Sequence, residues 1–179
     1  MRLDFGCGPN KREGFTGVDQ YPFDGKVDII GDVTDPRFWD RFESDSVEEV
    51  SASHFLEHLT ERQRVLFVNQ VHRILKAGAK ATLITPHWNS CRAYGDPTHQ
   101  WPPVSEFFWY YLDKNWRAAN APHTDAQWLS WGFTCDFETT WGYNLHPDLL
   151  VRAPEYQQDA VQWKKEAILD MHATMTCRK

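Results

Sequence analysis

The chain of 179 residues contains no apolar run near the roughly 18 residues that a membrane-crossing helix needs. Met1-Arg2 leads directly into an apolar strand, without the charged, apolar and small-residue layout of a signal peptide. A cytoplasmic protein without a membrane partner is the expectation. Closely paired cysteines are also missing. Cys7, Cys91, Cys135 and Cys177 are scattered, which argues against a structural zinc site and leaves four reduced thiols as the reading. Basic residues are the minority, 19 Lys and Arg against 25 Asp and Glu, for a formal charge of -6. Tight, sequence-independent binding to a phosphate backbone depends on clustered cations, so a small ligand is favoured over nucleic acid.

What is present reads as one domain over 1–179, long enough to bury one sizeable core. Arg2 to Phe5 forms a short strand ending in a glycine turn, and Thr16-Gly17-Val18-Asp19 a second that closes on an acid. Val27 to Ile30 reads as a third strand, Val47 to Ala52 as a fourth, and Ala81 to Thr85 as a fifth, halted by Pro86. Thr60 to Gln63 resembles a capping box. Val65, Leu66, Val68, Val71, Ile74 and Leu75 follow at helical spacing, with Gly78 as the expected stop. Strands alternating with crossovers imply a parallel sheet with helices on both faces. Beyond it, a helix is expected from Ser105 to about Trp116, a strand over Phe133 to Tyr143, a helix over Glu155 to about Lys165 and a closing strand over Met171 to Cys177.

Gly6-Cys7-Gly8 follows the first strand directly, so the backbone can bend and a ligand can approach the main chain. A nicotinamide fingerprint would place a third glycine where Lys11 stands, which demotes a dehydrogenase. Five segments in order, Leu3-Asp4-Phe5-Gly6-Cys7-Gly8-Pro9-Asn10, Gly17-Val18-Asp19, Gly31-Asp32-Val33, Phe55-Leu56-Glu57-His58-Leu59 and Arg73-Ile74-Leu75-Lys76-Ala77-Gly78, resemble the successive motifs of class I S-adenosylmethionine-dependent methyltransferases of the type 11 kind. The resemblance covers residues 2 to 86. It implies a Rossmann-like, mostly parallel seven-stranded sheet ending in an antiparallel pair, for which 131–145 and 168–178 are available. It also implies S-adenosylmethionine as the cofactor. In that frame Asp4, Phe5, Gly6, Cys7 and Gly8 form the first wall, with Asp4 near the ammonium. Asp19 and Gln20 face the ribose, Asp32 and Val33 the adenine, and Ser53 and His54 complete the site. The span from Gly8 to Thr16 departs from the pattern, being too short for a full first helix. A Rossmann-like domain holding another nucleoside, or a non-enzymatic subunit of the same fold, is the competing class.

In Ser53-His54-Phe55-Leu56-Glu57-His58, a helix would put His54, Glu57 and His58 on one face. The spacing is similar to the Glu-x-x-Glu-His element of metal-assisted O-methyltransferases, with His54 in place of the first Glu. This makes His54, Glu57, His58 and His99 candidate ligands for a divalent metal. The alternative is that Glu57 and His58 cap the helix or shape the pocket without metal. Gly95-Asp96-Pro97-Thr98-His99 lies in a turn context, and His99, with His54, is a candidate proton acceptor. His87 is a weaker candidate of the same kind. Residues 87–132, rich in aromatics, are expected to roof the site as a substrate lid, with Trp88, Tyr94, Trp101, Phe108, Trp109 and Tyr111 available to stack on a flat substrate or a sugar. The fourth strand ends in Ala52-Ser53-His54, without the Asp-Pro-Pro-Tyr type segment of base amino-methylation, and no Pro-Cys pair suggests cytosine carbon chemistry. Methylation of an oxygen on a small molecule or saccharide is the leading expectation, with RNA or DNA as the alternative acceptor.

Overall fold

Period-two alternation of apolar side chains fixes which way the sheet faces. In the computed structural model, which describes residues 1–179, seven strands form one sheet: β1 (Arg2–Phe5), β2 (Thr16–Asp19), β3 (Ile29–Ile30), β4 (Val47–Ser53), β5 (Leu75–Pro86), β6 (Phe137–Leu145) and β7 (Ile168–Cys177). Their order is β3-β2-β1-β4-β5-β7-β6. The first five are parallel, and β7 runs antiparallel to both β5 and β6. The register sets Leu3 beside Val50, and Phe5 beside Val18 and Ala52, then continues through Ala81, Leu83, Ala173 and Met175. All of these are buried. Each large apolar side chain withdrawn from water contributes roughly 1.5–3 kcal/mol.

The two faces are covered unequally. Against the apolar face lie Phe38 and Trp39 of the 3-10 turn Pro36–Arg41, Phe67, Val68 and Val71 of α1 (Glu61–Ile74), and Trp109 of α2 (Glu106–Tyr110). Phe5 meets Phe67 edge-on at 5.4 Å between ring centroids, and the Trp39 indole donates to the Val33 carbonyl at 2.9 Å. The opposite face carries Arg2, Glu49, Lys80, Thr82, Glu138, Thr140, Thr174 and Thr176, all exposed or half-buried. The short β1–β2 connection has no helix; side chains pin it instead. Asp4 accepts from the Arg12 amide at 2.8 Å, and Asp28 from both the Gly17 amide and Lys11 Nζ at 2.7 Å.

Several expected boundaries move: the fifth strand starts at Leu75 rather than Ala81, the sixth at Phe137 rather than Phe133 and the seventh at Ile168 rather than Met171. Helix α1 begins as expected, with Gln63 Oε1 accepting from the Thr60 amide at 2.9 Å, but it ends at Ile74 rather than near Gly78. Leu75 pairs with Val47 and so turns extended at once. Gly78, at φ +76, serves instead the irregular stretch before the pairing resumes at Lys80. The single helix expected from Ser105 is two, α2 and α3 (Lys114–Asn120), because Asp113 accepts from the Trp116 amide and starts a second cap. The third strand shrinks to Ile29–Ile30. Between β6 and β7, α4 (Pro147–Leu150) and α5 (Pro154–Trp163) form a small satellite core with Leu149, Ala160 and Ala167. No helix is long and apolar enough to cross a membrane, and the four cysteines are unpaired.

Candidate functional site

The carboxyl ends of β1 to β4 open into a cavity of about 680 Å³, within the range of small-molecule sites. Gly6 and Gly8 form its floor at φ +63 and +52, a region that L side chains avoid. At Gly6 space is the second constraint: a Cβ would fall 2.3 Å from Phe55 Cδ2, whereas at Gly8 it would meet nothing within 4 Å. Asp19, at the end of β2, accepts from the Gly8 amide through one oxygen and from the Tyr21 amide through the other, each at 3.0 Å. Its carboxylate is thereby fixed at the cavity wall. Asp32 accepts twice from Thr34 through Oδ1 alone, from the amide at 2.8 Å and the hydroxyl at 2.7 Å.

Of the cofactor-site residues read from sequence, Gly6, Gly8, Asp19, Gln20, Asp32, Val33 and His54 line this cavity, and four do not. Asp4 is buried beneath the loop it ties to Arg12; Phe5 belongs to the core. The Cys7 thiol packs against Gly17, and burial together with Asp19 and Asp4 pushes its pKa up to about 11. Ser53 is exposed but lies outside the lining. Tyr21, Phe23, Thr34, Phe55, Leu59, Gln63 and Thr98 also line the cavity without having been assigned to it from the sequence. Tyr21 and Phe23 follow Asp19 by two and four residues and meet edge-on at 6.2 Å. They form an outer wall, in which Phe23 and Asp24 hold φ of +41 and +54 and no side chain from Tyr21 to Lys26 is buried.

The histidines approach from the other side, though not as one helical face. Only Leu56–His58 is a 3-10 turn. His54 precedes it at φ +51, so its Nδ1 lies 3.3 Å from Glu57 Oε1, off line for a hydrogen bond. That carboxylate holds His54 above the ordinary histidine pKa, against the burial that lowers it. Glu57 is buried, and Thr85 Oγ1 donates to its Oε2 at 3.3 Å, whereas Oε1 has no hydrogen-bond partner. Ligand atoms of Glu57, His58 and His99 lie within 4.8 Å of one another; His54 is outside this group, although its Nδ1 lies close to Glu57.

The proton positions on these rings follow from their partners. His99 Nδ1 faces the Ala93 carbonyl at 3.2 Å, which only accepts, so Nδ1 carries the proton. Thr98 Oγ1 gives its own proton to Asp96 at 2.7 Å, so it accepts from His58 Nδ1 at 3.1 Å. Each neutral ring then keeps a lone pair on Nε2. His99 itself is nearly buried and does not line the cavity, which it adjoins through Thr98 and His58.

His87 is buried and donates to Glu106, away from the cavity. The expected aromatic roof divides: Trp109 is wholly buried, Trp101 is 79% exposed, and Trp88 and Tyr94 are about half exposed. From 87–132 the cavity takes only Thr98.

No protein-family model matches the chain, and no curated protein matches it. Solved structures do. A SAM-dependent methyltransferase from Archaeoglobus fulgidus shares 17% identity over 98% of this chain and 85% of its own, with a TM-score of 0.69. Geranyl diphosphate C-methyltransferase from Streptomyces coelicolor, solved with Mg2+, geranyl diphosphate and S-adenosyl-L-homocysteine, shares 13% over 98% and 72%, with a TM-score of 0.52. The small RNA methyltransferase HEN1 shares 12% over 99% of this chain and 23% of that one, with a TM-score of 0.55. At these identities the likeness is one of architecture, and the chain has the class I methyltransferase fold.

Proposed function

We propose that the chain transfers a methyl group from S-adenosylmethionine to an oxygen of a small molecule or saccharide. One observation carries the reading. The cavity gathers two positive-φ glycines, a bidentately fixed Asp19 and Asp32 at the ends of successive parallel strands, with His54 facing them. The floor at Gly6 leaves no room for a Cβ, as a surface approached by ligand and Phe55 together would require. Bound S-adenosylmethionine supplies a sulfonium-activated methyl group, which carries the intrinsic reactivity. The protein contributes position: the free lone pairs of Asp19 suit a ribose diol, and Asp32 Oδ2 suits an adenine amine. His54, with Nδ1 turned to Glu57, would take the acceptor hydroxyl proton on Nε2, while the methyl group would pass to the oxygen with its bond to sulfur broken and the sulfur left as a neutral thioether. The small net excess of acid supports a small acceptor over a nucleic acid.

A second reading of Glu57 rests on its unpartnered Oε1 and on the ligand atoms of Glu57, His58 and His99 lying within 4.8 Å of one another: the three suit a divalent cation that would orient acceptor oxygens. Calorimetry with S-adenosylmethionine tests the main reading. Loss of the charge-assisted hydrogen bonds of Asp19 in Asp19→Ala is expected to weaken binding by about 30- to 100-fold, corresponding to about 2–3 kcal/mol. Wild-type protein that releases no heat with the cofactor would overturn it. Full methyl transfer after chelation would remove the metal.

A further inference from the structure

Arg64 lies on α1, only 3% exposed, with no carboxylate within ion-pair distance. Its guanidinium is instead surrounded by carbonyls. Nε donates to Leu56 O at 3.1 Å, one terminal nitrogen to Pro102 O at 2.6 Å, and the other to Gln100 O at 3.1 Å and, at 3.5 Å, to Glu57 O. The Gln100 amide closes the figure by donating to the same Glu57 carbonyl at 2.8 Å. These carbonyls belong to two segments more than 40 residues apart in sequence. One runs into His58, and the other runs out of His99; their rings meet edge-on at 4.7 Å.

We infer that Arg64 is a positioning residue that sets the distance and ring orientation of the His58–His99 pair by clamping the backbone of both segments. The inference rests on the reading of that pair as part of the functional site. A buried cation whose hydrogen bonds all go to carbonyls, with Glu57 and Glu61 acting only from a distance against the burial, is a poor device for stability alone, since an apolar side chain of similar volume would avoid the desolvation. What the guanidinium adds is geometry. Its planar set of donors reaches several acceptors in fixed directions, which a lysine ammonium on a flexible stem does not reproduce. The clamp also bears on Trp101, whose neighbours on both sides give their carbonyls to Arg64, so that this highly exposed indole stands on a fixed backbone beside His99.

Long-range nitrogen-15 spectra of the imidazoles in the full chain, without added metal, provide the test, with Arg64→Lys and Arg64→Met as variants. Wild-type His58 and His99 should both show the Nδ1-protonated tautomer as the dominant species. In either variant both rings should lose that dominance together, while affinity for S-adenosylmethionine stays within about threefold, a shift under about 0.7 kcal/mol. A folded Arg64→Met protein whose two rings keep the wild-type tautomers overturns the inference, whatever its melting temperature. If neither variant folds, hydrogen exchange on the wild type decides. The Gln100 amide should exchange as slowly as sheet amides such as that of Leu83, and exchange at the rate of an exposed loop overturns the clamp. Wild-type protein that fails to bind S-adenosylmethionine would remove the methyl-transfer reading but not this one; unchanged rings in a binding-competent variant would do the reverse.

Discussion

The two sides of the cavity are wired over different lengths of chain. On the glycine side each acid is held by a near neighbour: Asp32 by Thr34, Asp19 by Tyr21 and Gly8, Asp4 by Arg12. On the histidine side the partners are remote: Thr85 to Glu57, Thr98 to His58, Gln100 and Pro102 to Arg64, at separations of 28 to 40 residues. The first side is therefore a property of strand ends and can form as each strand pairs. The second exists only once the segment after β5 has folded back over the turn after β4. Under the proposed function, binding of a nucleoside would draw on the local side, and the chemistry that follows on the remote one.

Substitutions can strain this contrast, beginning with the floor. Gly6→Ala combines a left-handed backbone with a clash against Phe55 and should lower unfolding free energy by about 2–4 kcal/mol, measured in urea. Gly8→Ala meets open space and should cost only about 1 kcal/mol. Equal losses at the two glycines would show that Phe55 yields and that the floor is less closely built than described.

A smaller effect belongs to the segment after β5, away from both sides of the cavity. Glu106 accepts from His87 at 2.9 Å, Trp88 at 3.0 Å and Tyr143 at 3.1 Å, joining the segment after β5 to α2 and β6. Burial pushes its carboxyl up, yet the hydrogen bonds from His87, its own backbone and Tyr143 outweigh this and bring the pKa to about 2. The folded value lies below the unfolded one, so the contribution is complete above about pH 4.5 and disappears as pH falls through about 2. Glu106→Gln should therefore lose about 1–2 kcal/mol near neutrality, with the gap to wild type closing in acid. A gap that stays constant down to about pH 2 would break the assignment to the ionised carboxylate. The smallest effect is expected from Thr98→Val, about 0.5–1 kcal/mol, because its links to Asp96 and His58 are exposed. Its signature should be the His58 ring spectrum rather than the melting temperature.

The same contrast explains what could be read from the residues alone. The short strands, the glycine turn, Asp19 and Asp32 are visible because a parallel strand ends where its apolar alternation stops, and the ligand-facing residue is the next one along. Asp4 has the same signature but a different fate, since only the folded loop shows that the Arg12 amide claims its carboxylate. Glu57 and His58 are visible as a pair. Their relation to His54 is not, because the helical spacing assumed for them breaks at a residue with φ +51. The approach of His99 to His58 has no local signal. Nor has Arg64, whose neighbours on α1 mark it as one more charged position on an amphipathic helix. The aromatic density of 87–132 suggests a roof, but an aromatic that fills a core and one that awaits a ligand have the same letter, and Trp109 and Trp101 resolve in opposite directions.

The outer wall from Tyr21 to Lys26 bears on timing. A strip of chain with no buried side chain is held by few contacts, so it opens at a far lower free energy than the sheet behind it. Traffic through the cavity is thereby separated from the histidine side. Under the proposed function, a spent nucleoside would leave by displacing Tyr21 and Phe23, and the cluster around Glu57 would not be rebuilt between turnovers.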